Sequence, residues 1–195
     1  MRLIEHYAPR CGLPRGVIHV GGYDGSEAFW YSRWNAPSVW FEPVPEKAAE
    51  IAAKGLVVHQ CALGSRTGRA SLNLSASLQC CSILEPSGHL AQYPQFPFDG
   101  AIDVEVRTLD SFGLTGFDML VLDVQGYELE VLRGATETLS GIRLVYCEVS
   151  IIELYRGAPL FHEIHAALSP EFDFVDIDWV DGVAKGWGDA LFVRK

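Results

Sequence analysis

Short apolar runs alternate along the chain with stretches of helical period. Seven runs read as strands: "GVIHVG" (16–21), "SVWFE" (38–42), "LVVHQC" (56–61), "DMLVLDV" (118–124), "RLVYCEV" (143–149), "FDFVDIDWV" (172–180) and "DALFVR" (189–194). Between them, apolar residues three and four positions apart predict helices over roughly 24–34, 44–54, 126–139 and 159–168. The first five runs are continuously apolar, the pattern of strands covered on both faces. They predict a mainly parallel sheet between helical layers, an α/β fold. The last two runs are joined by "DGVAKGWG", a turn-rich connection that predicts a hairpin and an antiparallel last strand.

Residues 65–108 break the alternation. Two period-2 segments, "RASLNLS" and "IDVEVRTL", flank the loop-rich "LQCCSILEPSGHLAQYPQFPFDG". This is more chain than a crossover needs, and long ordered insertions tend to carry function, so it is expected to form a lid or a pocket wall. With no repeat, low-complexity tract or charged linker, residues 1–195 read as one domain.

Composition narrows the functional classes. At 195 residues, 49% hydrophobic and 21% charged, the chain is ordinary globular material. Its formal net charge of −10 and four lysines argue against nucleic acid, whose phosphates need clustered Lys and Arg, and make a neutral or cationic small molecule the easier partner. The N-terminus lacks the apolar core of a secretory signal, and no run is long enough to span a bilayer. Five cysteines (Cys11, Cys61, Cys80, Cys81 and Cys147) show no zinc spacing and read as reduced thiols. A soluble, cytoplasmic protein is expected.

The stretch "VIHVGGYDGSEAFWY" carries the first chemistry. Glycines after a leading strand permit left-handed backbone and close approach to a ligand, and open α/β sheets bind ligands beyond the carboxyl ends of their strands. The next strand ends in Glu42, about twenty residues past Gly21, where nucleoside sites place an acid on the ribose hydroxyls. Pro43 then ends that strand. Gly21, Gly22, Gly25 and Glu42 therefore predict a nucleoside pocket. Asp24 and Glu27, expected in the first helical turn, would repel a diphosphate and suit a cationic centre. There is no Y-x-x-x-K pair and no phosphate-binding G-x-x-x-x-G-K-[ST] loop. S-adenosylmethionine, with its ribose, sulfonium and amino acid tail, fits these features. A nicotinamide-dependent oxidoreductase fits them poorly.

Beyond that corner, "VWFEPVPE", "CALGSRTG", "SILEPSGHLAQYP", "VRTLDSFGL", "MLVLDVQGYELEVLRGA", "VYCEVSIIELYRGAP" and "GDALFVR" together resemble the FkbM-type S-adenosylmethionine-dependent methyltransferases. The resemblance runs from about Gly16 to Arg194, and "LDVQGYELEVLRGA" with "EVS…LYRG" is its most specific part. It implies a Rossmann-like class I methyltransferase sheet with a reversed last strand, and O-methylation of a glycan or secondary-metabolite hydroxyl. It also implies that Gly21, Gly22 and Glu42 bind the cofactor, and that Cys61, Ala62 and Leu63 border the adenine. His19 stands where many methyltransferases carry an acid, leaving Asp24, Glu27 or Asp123 to hold the ammonium.

Methyl transfer to a hydroxyl needs alignment and a group that takes its proton. Asp123 and Glu148 end the fourth and fifth strands at the ligand edge. They could bind Mg²⁺ between them, or one could act as base. His89, in the insert, is the leading acid–base candidate. Ser82, Tyr93, Gln125, Glu128 and Arg156 complete the acceptor-side candidates, although Glu128 could equally stabilise a helix N-terminus. Trp30, Trp34 and Trp40 read as packing, Trp179 and Trp187 as possible sugar platforms, and His162 and His165 as surface residues. A noncatalytic nucleoside-binding domain is the competing reading.

Overall fold

The computed structural model describes Met1–Lys195. In chain order the elements are α1 (Arg2–Cys11), β1 (Val17–Val20), α2 (Ala28–Arg33), β2 (Ser38–Phe41), α3 (Pro45–Ala53), β3 (Val57–His59), β4 (Ala62–Leu63), β5 (Gly68–Ser75), α4 (Gly88–Gln92) and β6 (Phe98–Arg107). There follow β7 (Met119–Leu122), α5 (Glu128–Arg133), α6 (Thr136–Leu139), β8 (Leu144–Ser150), α7 (Phe161–Leu168), β9 (Phe172–Trp179) and β10 (Trp187–Arg194).

Seven strands form the main sheet in the order β3-β2-β1-β7-β8-β10-β9. The first five are parallel, and β10 runs antiparallel between β8 and β9. Every side chain of β1 and β7 is buried, as their unbroken apolar runs require. The third run is different. β3 is an edge strand, and Val57 is 61% exposed.

Two apolar layers hold the sheet. On one face, Val131, Leu132, Ile164 and Leu168 from α5 and α7 pack on Ile18, Leu120 and Val145. On the other, Leu3, Ile4, Tyr31 and Ile51 from α1, α2 and α3, with Trp34 just after α2, pack on Val17, Trp40 and Met119. A buried aliphatic side chain in such a layer contributes about 1.5–3 kcal/mol. No helix is long and apolar enough to cross a membrane.

The helices depart from their predicted bounds for local reasons. α1 was not anticipated, because only Leu3 and Ile4 of it are buried. The first predicted helix starts late: Gly21–Glu27 form a turn, so Asp24 lies outside α2 and Glu27 sits at its N-cap position. The long helix over 126–139 divides into α5 and α6 at Gly134, where a Cβ would lie 2.1 Å from the Gly64 carbonyl oxygen. The two period-2 segments pair antiparallel as β5 and β6, with β4 parallel to β6, giving a separate three-stranded sheet.

Candidate active site

The carboxyl ends of β1, β2, β7 and β8 open into a cavity of about 460 Å³. Its inner wall is the glycine corner and the ends of the strands. Its outer wall comes from the insert, through Leu72, Leu78, Cys80, Cys81, Ile83, His89, Tyr93 and Phe96, and from Val180 and Trp187 of the terminal hairpin.

The corner is shaped by packing inside the protein. Gly21 has φ +87°, and a Cβ on it would fall 1.7 Å from the Asp123 carbonyl oxygen. Only glycine lets the turn after β1 lie against the end of β7. A Cβ on Gly22 would meet Ile51 at 2.8 Å and Trp40 at 3.1 Å. The backbone N–H groups of Gly21 and Gly22 donate to the Phe41 carbonyl, tying this turn to the end of β2.

That places Glu42. It is 5% exposed yet lines the cavity. One carboxylate oxygen accepts the Tyr23 backbone N–H and the other the Val44 N–H, each at 2.8 Å. Burial pushes its carboxyl up to about 7, against the pull of these amides and of Lys47. Each oxygen keeps a lone pair for a further donor, so the group is a fixed double acceptor.

Across the cavity, Asp123, Glu148 and Asp189 form an acidic floor. Asp189 lies opposite Glu148 in the β8–β10 register and accepts the Tyr146 hydroxyl at 3.0 Å. Confinement by protein, and then the neighbouring Asp189 charge, raises Asp123 to about 7. Burial and the Asp123 charge hold Glu148 well above the ordinary carboxylate range. Gln125 bridges the pair. Its amide donates to Asp123 at 2.7 Å and to the Glu148 carboxylate at 3.2 Å, and its amide oxygen accepts the Tyr155 hydroxyl at 2.9 Å. Its φ of +55° is a left-handed conformation that a non-glycine residue adopts at a cost. The Ser82 hydroxyl donates to its backbone carbonyl at 2.7 Å.

His89 is 3% exposed, among the rings of Tyr93, Phe98 and Tyr155, and also lines the cavity. Its Nδ1 has no hydrogen-bond partner, and burial lowers its basicity, so the imidazole is neutral at pH 7. Trp187 donates its indole N–H to the Tyr93 hydroxyl at 2.8 Å, joining the insert to the terminal hairpin.

Of the residues singled out in the sequence, the cavity wall holds Gly21, Gly22, Glu27, Glu42, Pro43, Cys61, Ala62, Leu63, His89, Tyr93, Asp123, Gln125 and Glu148. Seven others lie elsewhere. Gly25, with φ +72°, turns against Ile51 and Leu56 outside the cavity wall, and Trp179 is likewise not part of that wall. His19 is in the core, stacked on Trp40 at 4.3 Å with Nδ1 2.7 Å from the Tyr31 hydroxyl. Asp24 accepts the Ser26 N–H in a local turn. Ser82 is buried behind Gln125. Glu128 is buried and accepts the Val124 and Gly126 N–H groups, fixing the loop between β7 and α5. Arg156 is exposed and pairs with Glu85. His165, expected at the surface, instead packs against Phe161 and Phe174.

Sequence reasoning missed Asp189 and Tyr23. Asp189 carries the same mark as Glu148, a charge at the mouth end of a buried strand. Tyr23 left none, because it acts through its backbone.

This strand order, with a reversed strand inserted at one end and a ligand cavity over the carboxyl edge, is the class I methyltransferase fold. The family model for the methyltransferase FkbM domain matches residues 19–175. A 2-O-methyltransferase, NoeI, from Sinorhizobium fredii is 34% identical over 177 residues, covering 82% of this chain and 72% of its own. Among solved structures, the methyltransferase FkbM of Methylobacillus flagellatus superposes with a TM-score of 0.59 at 15% identity, over 92% of this chain and 43% of that one. The magnesium protoporphyrin IX methyltransferase of Synechocystis, solved with bound S-adenosylmethionine, gives 0.58 at 13% identity, over 100% of this chain and 77% of that one. The chain belongs to the FkbM family of S-adenosylmethionine-dependent methyltransferases.

Proposed function

We propose that this protein transfers a methyl group from S-adenosylmethionine to a hydroxyl of a glycan or secondary metabolite. The observation that carries the cofactor is Glu42, a buried carboxylate that lines the cavity and whose two oxygens are fixed by backbone amides. It suits the two hydroxyls of a ribose. Cys61, Ala62 and Leu63 offer an apolar wall for the adenine, and Glu27 with Asp123 offers negative charge to the amino acid tail. A diphosphate does not suit the corner: α2 begins at Ala28, beyond the glycine turn, with Glu27 at its N-cap. The 2-O-methyltransferase relative supports oxygen as the acceptor atom.

When bound, S-adenosylmethionine supplies an electrophilic methyl group on a cationic sulfur. The chain's part is alignment and proton handling. Tyr93, Phe96 and Trp187 flank the acceptor side, and the insert carrying Tyr93 and Phe96 acts as lid and water barrier. His89 takes the proton of the acceptor hydroxyl as it attacks. Asp123 and Glu148 border the reacting centre from below and share the Gln125 amide. A Mg²⁺ ion between them would have to displace the Gln125 amide.

Labelled-methyl transfer to an acceptor panel, with and without EDTA, tests the reading. Transfer to hydroxyls that survives EDTA supports it. Tight binding of S-adenosylhomocysteine with no transfer to any acceptor would favour a noncatalytic domain.

A further inference from the structure

The charge lining the cavity bears on the acceptor. Thirty-one residues line it, five of them carboxylates (Glu27, Glu42, Asp123, Glu148 and Asp189), and none is Lys or Arg. The ammonium groups of Lys47 and Lys185 lie over tyrosine rings of the wall, 4.6 Å from the centre of Tyr23 and 5.1 Å from that of Tyr93, and neither lysine is a lining residue. Asp189 and Glu148 face each other across β8 and β10, on the same side of the cavity as Trp187. An acceptor unit held there meets carboxylates below and aromatic rings around it.

We infer that the sugar or alcohol unit that receives the methyl group carries no phosphate: the acceptor is a finished glycoside or other neutral or amine-bearing molecule, not a nucleotide-activated sugar. The inference rests on the O-methyltransferase reading and adds an order of events. A glycosyl transfer that releases the nucleoside diphosphate comes first, and methylation acts on its product. With Glu27, Glu42 and Asp123 taken up by the cofactor, a phosphate on the reacting unit would be desolvated beside Glu148 and Asp189 with no lining side-chain cation to pair with it.

The test offers the protein one sugar in matched forms, repeated over hexoses, deoxyhexoses and amino sugars: the neutral methyl glycoside, the amino-sugar glycoside, the sugar 1-phosphate and the nucleoside diphosphate sugar. Labelled-methyl transfer gives kcat/KM, and calorimetric titration of the S-adenosylhomocysteine-bound protein reads acceptor binding without turnover. At least one neutral or amine-bearing form is expected to exceed its phosphorylated counterparts by at least about tenfold in kcat/KM or affinity. Asp189→Asn is expected to narrow that gap several-fold. Phosphorylated forms that react or bind as well as their neutral partners would overturn the inference while leaving O-methylation standing. Discrimination seen in binding with no methyl transferred would do the reverse. Silence of the whole panel in both measurements would count against both.

Discussion

Replacing Glu42 by glutamine tests how the cavity grips a nucleoside. The carboxylate holds the Tyr23 and Val44 amides, leaving a lone pair on each oxygen for a ribose hydroxyl. In Glu42→Gln one oxygen becomes an amide nitrogen that faces a backbone N–H and can accept nothing. At least one charge-assisted bond is lost, about 1.5–3 kcal/mol, so the Kd for S-adenosylhomocysteine should rise roughly 10- to 150-fold. The pH dependence is more diagnostic. Glu42 is pushed up to about 7 in the free protein, and hydroxyl donors favour its ionised form. Binding must therefore expel a proton below that pH, and wild-type affinity should fall about tenfold from pH 8 to pH 6 through this group alone. Asp123, also near 7, can add its own dependence. Glu42→Gln should flatten the profile by one proton and leave the Asp123 contribution. Isothermal titration across this range measures both. An unchanged affinity, or an unchanged slope, would refute the role assigned to Glu42.

The same group has the opposite effect on the stability of the unliganded protein. Its folded value near 7 exceeds the ordinary 4.5, so its contribution is fully present below about pH 4.5 and is lost as pH rises through 7. That amounts to about 3 kcal/mol, which thermal melts of wild type should show and Glu42→Gln should lack. Gly21→Ala should cost at least about 3 kcal/mol, because the new Cβ collides with the Asp123 carbonyl and φ is left-handed; a melting temperature within 2 °C of wild type would contradict it. His89→Ala should lower kcat by about 10²–10⁴ while leaving S-adenosylhomocysteine affinity within about threefold; full turnover would end its role as base. Gln125→Ala removes the donor shared by Asp123 and Glu148, so the acid limb of the kcat/KM profile should move to higher pH; a fall in activity without that movement would make Gln125 a structural residue only.

The sheet was legible in the sequence because its strands are buried on both faces, and continuous apolar runs have few other uses. β1 and β7 fall within a residue or two of their expected ends. The edge strand β3 was harder to place, since an apolar run does not tell which strand lacks a neighbour. α1 escaped notice because most of its residues face water. The cavity was partly legible. Glu42 and Asp123 follow directly on the last residues of β2 and β7, and Glu148 lies two residues before the end of β8, so all three reach the ligand edge. His19 obeys the same sequence logic but sits within β1, so its side chain turns into the core against Trp40. Glu128 and Ser82 look like site residues in the motif and instead support it from behind, through bonds to Val124, Gly126 and Gln125 that only folding brings into reach. Asp189 joins the floor through the antiparallel pairing of β10 with β8, a contact between residues 41 positions apart.

The most direct test is a crystal structure of the protein with S-adenosylhomocysteine. It should show the ribose hydroxyls within hydrogen-bonding distance of Glu42, the adenine along Cys61–Leu63 and the sulfur facing the side of the cavity lined by His89 and Trp187. An adenosine bound anywhere else, or a ribose that makes no contact with Glu42, would contradict it.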